Sequence, residues 1–102
     1  MLEKIEAAMV KSGMIMLHPI RLKILRTLEE KGEMYIDEIA KEVDTDRRLV
    51  SFHLGVLQNY GFLESVFKVV QEPHSKGKAG RFFKITTKYK DTKAKLSDFL
   101  QS

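Results

Sequence analysis

Apolar residues recur at helical spacing through the first sixty positions of the chain and then change period. Leu2, Ile5, Met9 and Met16 fall roughly on one side of a first amphipathic segment, residues 2 to about 16. Gly13 weakens its end, and the residue before a proline is biased away from helix, so a break is expected near His18. Pro19 suits the first position of a second helix, which carries Leu17, Ile20, Ile24 and Leu28 at 3.6-like spacing and stops at Gly32. Glu33-Met34-Tyr35 reads as a short link or a minimal strand.

Residues 35–63 read as a helix, a tight turn and a second helix. The first shows Ile36, Ile39, Ala40 and Val43 at i, i+3, i+4, i+7. The second hides Val50, Leu54 and Leu57 and presents Arg48, Ser51, Phe52 and Gly55 on its far side. That far side is odd for a solvated face and suits a helix lying against phosphates and base edges. Gly61 supplies a left-handed cap.

Beyond Gly61 the chain turns β-prone. Phe62 to Val70 is rich in Val and Phe, and Arg81-Phe82-Phe83-Lys84-Ile85-Thr86 is a second such run. Residues 71–80 between them contain a proline, two glycines and two lysines, and predict a hairpin tip longer than a tight turn. A lysine-rich helix follows from about Thr87, with Tyr89, Leu96, Phe99 and Leu100 as its apolar side. The expected fold is mostly α with a small β-hairpin (α+β). It is a winged helix-turn-helix in which a three-helix core carries a two-stranded wing. The helix-turn-helix spans about residues 35–60, the wing about 62–87, and the terminal helices about 2–16 and 87–101. No repeat or linker divides the chain, so a single domain over residues 1–102 is expected.

Charge sharpens this picture. The formal net charge is +4, but residues 1–59 carry 9 Lys+Arg against 10 Asp+Glu, while residues 60–102 carry 9 against 4. The basic half therefore lies beyond the second helix of the pair, as expected for a polyanion partner; a solubilising lysine surface is the plainer alternative. Cysteine is absent, which excludes disulfides, thiolate metal sites and cysteine nucleophiles. No apolar run approaches the ~20 residues of a membrane span, and the charged N-terminus is unlike a signal peptide. A soluble, cytoplasmic protein with no membrane partner is expected.

The order of four helices, a hairpin and a last helix brings a resemblance into focus. Leu17-His18-Pro19-Ile20-Arg21-Leu22-Lys23-Ile24-Leu25 resembles the opening of the ArsR-like repressors, in which Pro-x-Arg-x-x-Ile-Leu starts the second helix. Leu49-Val50-Ser51-Phe52-His53-Leu54-Gly55-Val56-Leu57 resembles their Val-Ser-x-His-Leu-x-Val-Leu recognition helix, followed by a similar Gly-Phe-Leu-Glu. Gly80-Arg81 and Ile85-Thr86 resemble the wing. The match runs from about residue 17 to 87. It implies a dimeric transcription regulator, usually a repressor. The chain departs from the metal-sensing relatives: it lacks their cysteines, and its last helix has Asp91 and Asp98 but no histidine. The expectation is a repressor with no cofactor and no evident metal or small-molecule effector site.

Particular residues then acquire expected roles. Thr45, Arg47 and Arg48 are expected DNA contacts at the start of the recognition helix, where Asp46 suits a cap and arginine suits guanine or phosphate. Ser51 lets the helix enter a groove. Phe52 either packs on a thymine methyl or tucks under the wing as core. Gly55 suggests close backbone approach, to DNA or to another helix, since glycine costs about 1 kcal/mol in a helix interior. His53 is expected to be partly buried and hydrogen-bonded, and His74 to be solvent-exposed on the wing tip. Lys76, Lys78 and Arg81 flank that tip, where they would meet the sugar-phosphate backbone. The stripes Leu2, Ile5, Met9 and Tyr89, Leu96, Phe99, Leu100 are expected to pair across a two-fold axis, intramolecular packing being the alternative.

The function expected is therefore a homodimeric, sequence-specific DNA-binding regulator that recognises an inverted repeat in double-stranded DNA. A winged helix serving as a protein-interaction module in a larger complex is the alternative. An enzyme is not expected, because no nucleophile motif, paired carboxylates with an adjacent histidine, or phosphate-cradling glycine loop is present.

Overall fold

The computed structural model describes residues 2–70 and 77–101, and the side chains within them except those of residues 2, 3 and 5. The element order is α1 (Leu2–Met16), α2 (Pro19–Lys31), β1 (Met34–Tyr35), α3 (Ile36–Glu42), α4 (Arg47–Asn59), β2 (Leu63–Val69), β3 (Ala79–Ile85) and α5 (Thr87–Gln101). This is a winged helix.

Local chemistry sets the element ends. His18 caps α2, its Nδ1 accepting from the Ile20 N–H at 3.2 Å, with Pro19 directly after it. Between α3 and α4 the chain turns through Asp44 at φ +50°, a left-handed conformation that short polar side chains tolerate. Asp46 then caps α4, accepting from the N–H groups of Arg48 at 3.1 Å and Leu49 at 3.3 Å. Gly61, at φ +88°, ends α4 by donating to the Gln58 carbonyl at 2.9 Å.

The core is continuous. Ile24, Leu25 and Leu28 of α2 meet Ile36, Ile39, Ala40 and Val43 around α3, and Val50, Leu54 and Leu57 of α4 close over them with Phe62, Leu63, Phe83 and Tyr89. Leu17 departs from the expected stripe of α2 and is 62% exposed. It lies in the link before that helix, so the helical spacing does not carry through it.

The wing is a three-stranded antiparallel sheet in the order β1-β3-β2, so the minimal strand at Met34–Tyr35 joins the hairpin. Met34 pairs with Phe83 and Tyr35 with Phe82, while β2 and β3 run in register from Leu63↔Ile85 to Val69↔Ala79. Strand β3 begins at Ala79 rather than Arg81, which places Gly80 inside the ladder opposite Lys68. The Tyr35 ring explains why this position is glycine. A Cβ there would lie 2.7 Å from Val70 Cγ2 and 2.8 Å from Tyr35 Cδ1.

Candidate nucleic-acid interface

Helix α4 divides cleanly. Val50, Leu54 and Leu57 are fully buried, and the opposite side is open. On that open side the Arg48 guanidinium has no partner among the described residues. Phe52 is 60% exposed, its ring centroid 5.2 Å from that of His53 in an edge-on arrangement, so it is not tucked under the wing. Around Gly55 an added Cβ would meet nothing within 4 Å, so no helix of this chain requires a glycine there.

The other expected contact residues are partly committed within the chain. Arg47 Nε sits 2.5 Å from Asp37 Oδ1, linking α4 to α3. Both side chains are exposed, and such pairs contribute about 0–1 kcal/mol. Thr45 Oγ1 donates to the Val43 carbonyl at 3.0 Å inside the turn. Arg81 does not reach toward the wing tip. Its guanidinium donates to Gln58 Oε1 at 3.2 Å and Ser65 Oγ at 3.1 Å, and lies 5.8 Å from the Phe67 ring and 5.2 Å from that of Phe83. It therefore braces the end of α4 against the sheet. Its strand partner is Phe67, two pairs back from the Val69↔Ala79 pair that ends the ladder nearest the tip. Lys78 is exposed at the start of the returning arm, where its carbonyl accepts from Val70 N–H at 2.8 Å. Lys76 and His74 lie outside the described residues.

Between α4 and the wing runs a cleft of about 220 Å³, lined by Tyr35, Ile36, Arg47, Ser51, Phe67, Gly80 and Arg81. Ser51 faces this cleft, as expected of a small residue on the outer side of α4. Phe67 escaped the sequence reading. The β-prone run announced it, but which face of the strand would be covered was not readable there.

Helices α1 and α5 frame an apolar groove of about 470 Å³ lined by Met9, Val10, Gly13, Met14, Leu17, Leu96, Phe99 and Leu100. Met9, Leu96, Phe99 and Leu100 thus come together within one chain, which is the intramolecular packing expected as the alternative to pairing across a two-fold axis. Val10, Met14 and Leu17, spaced i, i+4, i+7, form part of the same surface and carried a helical signal that the stripe through Met16 obscured. Leu2 and Ile5 have side chains outside the described set. Tyr89 corrects the expected stripe. It is buried in the core at 4% exposure, its ring edge-on to Phe62 at 5.7 Å, and its hydroxyl donates to Glu29 at 2.5 Å. Burial, then the hydrogen bond to Glu29 and its charge, push the Tyr89 hydroxyl well above its ordinary range. Glu29 also pairs with Lys93 at 2.8 Å, clasping α2 to α5.

Among the described residues no three His, Asp or Glu side chains converge as a metal site. No helix of the described chain is long and apolar enough to cross a membrane.

A capped helix with an open polar-aromatic face, set beside a wing, is the architecture of winged-helix proteins. Residues 16–66, half of the chain, match the helix-turn-helix domain family, and the chain belongs to that family. Among solved structures it is similar to the transcriptional repressor BigR from Xylella fastidiosa, with TM-score 0.71, 22% identity, and coverage of 98% of this chain and 91% of that one. A transcriptional regulator homologue from Pyrococcus horikoshii OT3 gives TM-score 0.69 at 20% identity over 92% of each chain. Diamide-treated YodB from B. subtilis gives 0.68 at 15% identity over 96% of this chain and 87% of that one. No curated protein matches in sequence.

Proposed function

We propose that this protein is a homodimeric, sequence-specific DNA-binding transcription regulator, most simply an ArsR-like repressor that recognises an inverted repeat without metal control. The observation that carries the reading is the outer face of α4. It combines an Arg48 unpartnered among the described residues, an exposed Phe52 and an open Gly55 beside a wing cleft. Arginine in that position suits bidentate contact with guanine O6 and N7, and an exposed aromatic suits a thymine methyl. Lys78 and the lysine-rich second half supply charge for phosphates, which position the protein without choosing sequence.

The α1–α5 groove supports a two-fold dimer, because Met14 and Leu100, at 71% and 68% exposure, would otherwise remain wet. Such a dimer would set two recognition helices about 34–36 Å apart, one DNA turn. The absence of cysteine, and of histidine in α5, argues against thiolate or imidazole metal sensing. Selection of bound fragments from random duplex DNA at moderate salt tests the reading. One enriched inverted repeat is expected, and failure to enrich any sequence would overturn it.

A second reading, a protein-interaction module, is favoured by one observation: Phe52 and Phe67 are both largely exposed. It expects binding to a protein partner and no salt-sensitive DNA binding.

A further inference from the structure

His53 lies buried on the inner side of α4, and its Nδ1 accepts from Arg21 Nε at 3.1 Å. The same guanidinium donates through Nη1 to the Ile15 carbonyl at 3.1 Å. One arginine of α2 therefore holds both the last turn of α1 and the middle of α4. The His18 ring stands 4.4 Å from that of His53, with its own Nδ1 occupied by the Ile20 N–H. Phe52 of the outer face touches His53 edge-on.

The protonation state of His53 follows from its donor. Arginine does not give up its proton, so Nδ1 of His53 is a bare acceptor and the neutral ring carries its hydrogen on Nε2. A second proton would turn Nδ1 into a donor facing a donor, and would put positive charge beside Arg21 and His18. Burial first, then the charges of His18 and Arg21, hold His53 below its ordinary value of 6.5. Those two residues are the charged groups that bear on it, and α1 contributes the Ile15 carbonyl through Arg21.

We propose that Arg21 and His53 are positioning residues forming an acid-sensitive latch between α1 and the recognition helix, and that opening it weakens binding to duplex DNA. The second half of this statement rests on the DNA-binding reading. Its sign is diagnostic. Acid adds positive charge to histidines, so a rigid basic protein binds a polyanion more tightly as pH falls. The latch predicts the reverse. Because the folded chain holds the His53 proton less readily than the unfolded chain, stability is full above the ordinary value of 6.5 and declines as pH falls below it.

The test is an NMR titration of the full chain from about pH 7.5 to about pH 5, following imidazole and amide resonances. Binding of the selected duplex is measured in parallel at constant ionic strength. His53→Asn keeps an acceptor oxygen near the position of Nδ1 and cannot be protonated. His53 is expected to titrate below 6.5, with the amides of Ile15 and Met16 moving at the same midpoint. Affinity should fall by up to about tenfold per pH unit, the limit for one linked proton, in the wild type but not in His53→Asn. A His53 midpoint at or above 6.5, unmoved α1 amides, or an identical pH profile for His53→Asn would overturn the latch. If His53→Asn does not fold, the wild-type titration decides alone. If no duplex binds at any pH, the DNA reading falls, and the latch stands or falls on whether the α1 amides follow His53.

Discussion

Arg47 Nε stands 2.5 Å from Asp37 Oδ1, so the first residue of α4 is tied back to α3, while the guanidinium of its neighbour Arg48 has no partner among the described residues. The two adjacent arginines should therefore behave differently. Arg48→Ala is expected to cost about 1–3 kcal/mol on the preferred duplex and much less on scrambled DNA, as for a base-reading contact. Arg47→Ala should weaken both duplexes similarly and modestly. Fluorescence anisotropy with the two duplexes measures this; equal losses for Arg48→Ala would show that another residue reads the sequence.

Two glycines offer opposite outcomes. Gly55→Ala introduces a Cβ into open space, so the free protein should gain up to about 1 kcal/mol in urea melts from helix propensity. Its DNA affinity should nevertheless drop, because the proposed groove approach leaves no room. Gly80→Ala forces a Cβ against Tyr35 and Val70 and should destabilise the fold by about 1–3 kcal/mol. Gain of stability with unchanged DNA binding for Gly55→Ala would remove that residue from the interface.

Salt tests the phosphate contribution. The logarithm of the affinity should fall linearly with the logarithm of salt concentration, with slope about −0.9 per phosphate neutralised on B-DNA. Lys78→Ala should lower specific and non-specific binding alike, and the slope should become shallower by about 0.9 if that lysine neutralises one phosphate. A flat response between low and physiological salt would argue for the protein-interaction reading instead.

The dimer is best probed at its most exposed positions. Leu96 packs partly on the core, so charged residues there would disturb the fold as well as an interface. Met14→Glu combined with Leu100→Glu alters two side chains that are open in the single chain. This double variant is expected to sediment as a folded monomer with unchanged circular dichroism, and the wild type is expected to sediment as a dimer at micromolar concentration. A monomeric wild type would dismiss the two-fold arrangement.

The Glu29 clasp predicts a pH effect of its own. Burial pushes Glu29 up, but hydrogen bonds from Lys93 and Tyr89 outweigh it and hold the carboxyl below its ordinary 4.5. Its contribution is thus fully present above 4.5 and lost as pH falls through the lowered folded-state value. Glu29→Gln should melt below the wild type at neutral pH, and the gap should close in acid. A gap independent of pH would mean that the carboxylate charge plays no part.

Sequence alone determined the helices and most of their ends, because these depend on neighbours a few residues apart, whereas the start of β3 and the pairing of β1 depend on partners distant in the chain. Apolar spacing marked α3 and α4, Pro19 and Gly61 marked where helices begin and end, and Asp46 was readable as a cap from its place before Arg47. The outer face of α4 was legible for the same reason: with Val50, Leu54 and Leu57 turned inward, helical geometry leaves Arg48, Ser51, Phe52 and Gly55 outside. Tertiary structure decided which other faces are covered, since periodicity says which residues share a side and not what lies against it. Tyr89 shares a helix with Leu100, yet Glu29 and Phe62 draw it into the core. Leu17 continues the spacing of α2 yet belongs to the α1–α5 groove. Arg81 carries a charge suited to the wing tip, yet Gln58 and Ser65 hold it against α4. Arg21 and His53, 32 positions apart, meet only because α2 packs across the recognition helix, and no local pattern encodes that crossing.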